Sequence, residues 1–170
     1  LLGILYPHYL APIPSASIIR FALNRSEIES FSGETIPRRA QVDSDPIDGQ
    51  PCRFQTCYPV TVWPIKLTSA SYHGHPLPAP LTSFTRNSVA VLRIDLECLG
   101  SEIPIANMEF ESLRFFLNGS AQYIHDLYES LFNNVEGIAL AASENGADPV
   151  LLGAECIQQV GFDRDQGLLD

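Results

Sequence analysis

Hydrophobic and polar positions change period several times along this chain, and each change marks an element. Ala90, Leu92, Ile94, Leu96 and Cys98 alternate with Val91, Arg93, Asp95 and Glu97, the pattern of a half-buried strand. This is the cleanest alternation in the sequence, and it predicts a central strand with Leu92, Ile94 and Leu96 in the main core. Ile19, Phe21 and Leu23 alternate in the same way with Ile18, Arg20 and Ala22, and Leu113, Phe115 and Leu117 repeat the pattern up to Asn118–Gly119. Phe54–Thr56 and Val60–Leu67 read as strands, split by Pro59 and bent at Pro64. Glu34–Val42 reads as an edge segment, because Pro37 cannot donate to a ladder and Arg38 and Arg39 are poor core residues. Asn24–Gly33 is polar and turn-rich, and Asp43–Pro51 reads as a loop.

Ile124, Leu127, Tyr128 and Leu131 fall at i, i+3, i+4 and i+7, which predicts a helix from Ala121 to about Asn133 with Ser120 as its cap. Ile138–Ala142 then reads as a strand, Asn145–Gly146 as a turn, and Val150–Asp170 as short elements. The proline-studded stretch Tyr72–Thr85 is expected to be an extended surface loop. At the start, Leu1, Leu2, Ile4 and Leu5 read as the end of an apolar helix that Pro7 terminates. With no initiator Met, basic n-region or cleavage site, this start is not expected to be a signal peptide. It is too short and too broken by proline to span a membrane. A helix that begins upstream implies a piece excised from a longer protein. The expected fold class is α+β, mainly β: an antiparallel sandwich or partly open barrel with about one packed helix. The expected organisation is a helical end and linker over 1–15, then a single mainly-β domain over 16–170.

Composition narrows the partners more than the fold. A length of 170 residues suits one core, and thirteen Pro and eleven Gly favour many short elements. Acids outnumber bases 20 to 10, a net charge of −10. That field repels phosphate backbones and anionic lipid, so neither nucleic acid nor a membrane is an expected partner. Cys52, Cys57, Cys98 and Cys156 form no C-x-x-C and no zinc-type pairing with histidine. Cys98 is expected to be a buried thiol, and a domain of this size needs no disulfide staple, which favours a reduced, cytoplasmic chain.

Candidate chemistry is thin. His73 and His75 could chelate as an H-x-H pair, but no third ligand lies near them, and solvated loop histidines explain them better. His8 beside Pro7 suits a backbone hydrogen bond rather than a base, and His125 lies off the helix's apolar stripe. Asp43–Gly49 starts like a calcium loop, yet Ile47 and Asp48 stand where an oxygen ligand and a glycine are needed, and Phe54 stands in place of the closing Glu. The second run, Asp163, Asp165 and Gly167, is also incomplete. Phosphate loops, dinucleotide fingerprints and hydrolase elbows are absent. Asn24–Arg25–Ser26 and Asn118–Gly119–Ser120 match the glycosylation sequon, the second also being a turn followed by a helix cap. No catalytic constellation, cofactor site or metal site is expected, and an enzyme would rest only on a count of carboxylates.

Several segments instead carry a resemblance. Leu5–Ser15, LYPHYLAPIPS, is similar to a stretch found early in the TssF family (also VasA or ImpG), baseplate proteins of the bacterial type VI secretion system. Gly33–Ala40, GETIPRRA, is similar to the family's G-x-x-IPRGT turn through Gly33, Ile36, Pro37 and Arg38, and departs from it at Arg39–Ala40, where Gly-Thr is usual. Cys52–Ala70 resembles an RFRT…V…WP…A block, with Arg53, Phe54, Thr56, Val60, Trp63, Pro64 and Ala70 in place. LRFFLNG at Leu113–Gly119, LYESL at Leu127–Leu131 and VGFDRDQGLLD at Val160–Asp170 complete the family order across the chain.

The resemblance implies an internal fragment of a structural subunit, assembling with TssG, TssK and TssE around the VgrG spike beneath the contractile sheath. It implies a place at the cytoplasmic side of the envelope-anchored apparatus, and no catalytic residues. The candidate structural or interface residues are Tyr6, Pro7, His8, Tyr9, Arg53, Phe54, Trp63, Pro64, Gly161 and Phe162. Leu1, Leu2, Ile4, Leu5, Tyr6 and Leu10 are too apolar for a free terminus, which adds self-association as an expectation. The alternative is a carbohydrate- or ligand-binding β-sandwich, with Trp63 and the tyrosines as a stacking platform.

Overall fold

The computed structural model describes residues 2–10, 12–23, 33–100, 105–108, 110–143, 146 and 148–168, with the backbone alone at 2, 7, 8, 106 and 164. The sequon Asn24–Arg25–Ser26 and the turn residue Asn145 lie outside the described residues. The fold is α+β and mainly β, and its strands pair antiparallel in two-stranded ladders. It divides into two compact units, Leu1–Pro64 with Gln159–Asp170, and Ile65–Gln158.

The first unit begins with two single-turn helices, α1 (Leu2–Leu5) and α2 (Pro7–Leu10). Pro7 therefore both stops one helix and opens the next, where its fixed φ and missing N–H suit the first helical position. Residues 12–23 carry no regular structure, so the strand expected at Ile18–Leu23 is not formed. Alternation supplies two faces, but a strand also needs a hydrogen-bonded neighbour. The expected edge segment at Glu34–Val42 is two strands, β1 (Glu34–Ile36) and β2 (Gln41–Asp43), interrupted by a turn. They run against β4 (Val60–Val62) and β3 (Arg53–Gln55) respectively, with Ile36 opposite Val60 and Val42 opposite Phe54. The four strands thus form one long, interrupted hairpin.

The tip of that hairpin, a loop by sequence expectation, is a tight turn. Ile47 and Gln50 exchange backbone hydrogen bonds of 2.9 and 3.0 Å, while Asp48 (φ 52°) and Gly49 (φ 81°) take the two left-handed positions. This is the two-residue hairpin geometry that Asp-Gly favours. The C-terminal stretch of the unit adds a 3-10 turn at Arg164–Gln166.

The second unit is led by β5 (Ile65–Gly74) and β6 (Ala90–Cys98), paired along their length from Ile65 opposite Cys98 to Gly74 opposite Ala90. β6 has the bounds its alternation predicts, but its surroundings differ from expectation. Among the described residues it pairs with β5 alone, Ile94 is 38% exposed, and Cys98 is half-buried rather than buried. A two-stranded ladder has two edges and no centre. β5 also reaches into the expected loop, so Tyr72, His73 and Gly74 are strand residues. The connection from β5 to β6 is packed at Thr82, which is buried, and is not a surface loop there. The Thr82 and Thr85 hydroxyls each accept the other residue's N–H, at 3.2 and 2.8 Å. Thr85 also donates its hydroxyl to the Thr82 carbonyl, at 3.1 Å.

Residues 110–120 carry no regular structure, so Leu113–Leu117 is not a strand. Helix α3 then spans Ala121–Asn133, as its periodicity predicts. Ile124, Leu127, Leu131 and Phe132 are half-buried, and the Tyr128 and Phe132 rings lie 4.7 Å apart at 54°. Ser120 occupies the cap position with extended backbone, yet its hydroxyl makes no cap bond. Its carbonyl serves instead, accepting from Tyr123 and Ile124 at 3.0 and 3.1 Å. β7 (Ile138–Leu140) pairs with β8 (Val150–Leu152), and a 3-10 turn comes next at Ala154–Cys156. Another 3-10 turn, Ile105–Asn107, leads into Met108, a buried apolar side chain. No helix is long and apolar enough to cross a membrane, among the described residues.

Candidate functional site

Residues of two of the sequence motifs, Gly33–Ala40 and Arg53–Pro64, meet on the interrupted hairpin of the first unit. β1 brings Gly33, Ile36, Pro37 and Arg38 to one arm; β3 and β4 bring Arg53, Phe54, Thr56, Val60, Trp63 and Pro64 to the other. The ladder breaks between its two halves because Pro37 has no N–H to give. Side chains fill the break. The Thr56 hydroxyl donates to the Pro37 carbonyl at 2.8 Å and accepts from the Ala40 N–H at 3.0 Å. The Arg39 N–H reaches the Thr56 carbonyl at 2.9 Å, and the Thr56 N–H reaches the Ala40 carbonyl at 3.1 Å. Arg38 donates its Nε to the Cys57 carbonyl at 2.8 Å. Thr56 and Arg38 therefore supply the cross-strand bonds that proline removes.

Arg39 adopts φ 64°, a left-handed conformation that costs a residue with a Cβ and suits glycine. The turn therefore forms here although Arg39–Ala40 departs from the Gly-Thr that the resemblance implies, with Arg39 in the strained position.

At the open end of the hairpin, Gly33 lies against the indole of Trp63. A Cβ there would sit 3.0 and 3.1 Å from two indole carbons and would collide with the Thr61 side chain. Trp63 is half-buried and Pro64, next to it, is fully buried. Phe54 is half-buried opposite Val42. Arg53 is exposed, its Nε 3.9 Å from Asp43, a separation that contributes little in water.

The remaining candidates also belong to this unit. Tyr6 and Tyr9 are 65% and 80% exposed; Pro7 and His8 lie on α2. Gly161 takes φ 101° and donates its N–H to the Gln166 side-chain oxygen, leaving Phe162 77% exposed. Thr56 and Gly33, which hold the hairpin together, fall in motifs that assign them no role; their neighbours Pro37, Thr61 and Trp63, on the opposite arm, cannot be read from spacing.

A polar cluster lies on the β5–β6 ladder of the second unit. At a bulge between Leu67 and Ser69, the Ser69 hydroxyl donates to Asp95 at 2.6 Å, and Arg93 Nε donates to both carboxylate oxygens at 2.8 and 3.1 Å. The Ser69 hydrogen bond, then Arg93, holds the Asp95 carboxyl below its ordinary range. His73 is engaged with the Ser71 hydroxyl at 2.8 Å. Among the described residues, no three His, Cys, Asp or Glu side chains gather as a metal site.

The family model for "Type VI secretion system, TssF" matches residues 1–170. The chain is 33% identical over 173 aligned positions to the type VI secretion system component TssF1 of Pseudomonas aeruginosa PAO1, covering 99% of this chain and 28% of that protein's length. No solved structure matches. The family model covers the whole chain and this relative covers 99% of it, so the chain belongs to the TssF family of type VI secretion proteins.

Proposed function

We propose that this chain is a structural module of the type VI baseplate wedge, with residues 16–170 acting as a single module and no catalysis of its own. Its role is mechanical: to hold the wedge together and pass on the trigger for sheath contraction. The partners in this reading are TssG, TssK and TssE, the VgrG spike and the sheath, met on the cytoplasmic side of the envelope. Family membership supports it, and the observation that carries it is how the motif residues are used. The contacts of Thr56 with Pro37, Arg38 with the Cys57 carbonyl and Gly33 with Trp63 brace a hairpin; they do not converge on a reacting centre.

The ten candidate residues divide in two under this proposal. Arg53, Phe54, Trp63, Pro64 and Gly161 shape the scaffold. Tyr6, Tyr9 and Phe162, exposed aromatic side chains of the kind enriched at interfaces, meet neighbouring subunits, with Pro7 and His8 setting the α2 turn that carries Tyr9. The carbohydrate-binding alternative has less support, because one face of the Trp63 indole is taken by Gly33. Co-purification of the tagged whole protein with TssG and TssK, beside an oligosaccharide-binding screen, separates the two. Retention of the subunits without sugar binding is expected; the reverse result would replace the structural reading.

A further inference from the structure

The tip of the braced hairpin is a rigid, charged presentation of one apolar side chain. Ile47 is 64% exposed, and it stands at the start of a turn that is already closed. Its N–H and carbonyl are both bonded to Gln50 at 2.9 and 3.0 Å, and Asp48 and Gly49 fill the left-handed positions the turn requires. Pro46 precedes it and restricts the backbone further. Below the turn, Ser44 and Cys52 exchange two bonds, one from the Ser44 N–H to the Cys52 carbonyl at 2.9 Å and one from the Cys52 N–H to the Ser44 hydroxyl at 3.0 Å. The Thr56 brace fixes the far end. An exposed isoleucine held this way surrenders little conformational entropy when it is covered.

The charge around it is of one sign. From Gln41 to Pro51 the chain carries Asp43, Asp45 and Asp48 and no Lys or Arg. Asp43 has Arg53 at 3.9 Å and a hydrogen bond from Gln41 at 3.2 Å, but Asp45 and Asp48 are exposed. An apolar anchor flanked by carboxylates complements an apolar pocket rimmed by Lys or Arg. A second copy of this chain is a poor match, because its net charge of −10 would repel the tip.

We infer that the Pro46–Gln50 turn is a docking finger, placing Ile47 in an apolar pocket with a basic rim on another type VI subunit. The inference rests on the structural role proposed for the chain and names one contact within it. The test uses the whole protein and purified TssG, TssK and TssE, each titrated separately while association and dissociation rates are followed. The variants are Ile47→Ser and the double change Asp45→Asn with Asp48→Asn; Asn tolerates the left-handed conformation at position 48, so the turn is kept.

For one of the three subunits, Ile47→Ser should weaken binding about tenfold or more through faster dissociation. The double change should slow association and flatten its dependence on salt. Circular dichroism melts of both variants should match the parent, since neither residue type is buried. If the parent binds and both variants bind every subunit equally well, the finger is idle and the inference fails while the structural reading survives. If the parent binds none of them, both fail. If Ile47→Ser instead dissolves a homodimer in sedimentation, the occupant is a second copy, contrary to the inference.

Discussion

The Thr56 hydroxyl donates to the Pro37 carbonyl at 2.8 Å, across 19 residues of sequence. Two motifs that look separate along the chain are therefore one structural device. Proline interrupts the ladder between β1 and β2, and a threonine from the opposite arm takes over the bonding that the interruption leaves open. Thr56→Val keeps the shape and removes the hydroxyl, so the Pro37 carbonyl loses its bond from Thr56 and the Ala40 N–H is left with a poorer partner. The expected loss is about 1–3 kcal/mol in denaturant melts, largely restored by Thr56→Ser. Equal stability of the valine variant would show that the brace does not matter.

Arg39 tests the turn itself. Its φ of 64° costs a non-glycine residue about 1–2 kcal/mol, against an unfolded-state penalty for glycine of about 0.4–1 kcal/mol. Arg39→Gly should therefore raise stability by about 0.5 kcal/mol, and the β-branched Arg39→Val should lower it. A destabilised glycine variant would mean that the arginine side chain's own contacts outweigh the strain.

Gly33 offers the opposite experiment. A methyl group there meets the Thr61 side chain and the Trp63 indole, an overpacking that costs about 1–3 kcal/mol. Gly33→Ala should lower the melting temperature and shift Trp63 fluorescence, which reports the indole's surroundings directly. An unchanged spectrum would show that the close approach is not maintained in solution.

Asp95 carries the expected pH dependence. Its folded carboxyl titrates below the ordinary 3.8, so the ionised form is favoured in the native state. Its contribution is complete above the unfolded value and is lost as pH falls through the lower folded value. Stability should decline below about pH 4 more steeply in the parent than in Asp95→Asn, measured as urea midpoints across an acid series. Parallel declines would contradict the role of Ser69 and Arg93 in holding the carboxylate charged.

The legibility of each element in the sequence depends on how far its signal reaches. β6 and α3 have the bounds their periodicity predicts, because nine alternating residues and a full apolar stripe are each sufficient to define an element. Three-residue strands are defined by what they pair with, which is why Glu34–Ile36 and Gln41–Asp43 merge into one expected segment. The Ile18–Leu23 alternation has no comparable ladder to confirm it. The Asp48–Gly49 turn is visible as Asp-Gly, but Asp43–Pro51 reads only as a loop, because the three-residue strands beside it carry too little alternation to mark a hairpin. Burial is the least legible quantity: Ile94 has the pattern of a core position and is 38% exposed. Ile94→Ala should accordingly cost about 1 kcal/mol, below the roughly 2–5 of a fully buried isoleucine.

The central claim, that this chain works as a structural part of a multi-subunit assembly, is tested most directly by mass. The whole protein is mixed with purified TssG, TssK and TssE, and the mixture is measured by light scattering coupled to size-exclusion chromatography. The account predicts a single peak heavier than any component and containing this protein, retained at physiological salt. Elution of this protein at its own mass, with the other subunits unshifted, would contradict it.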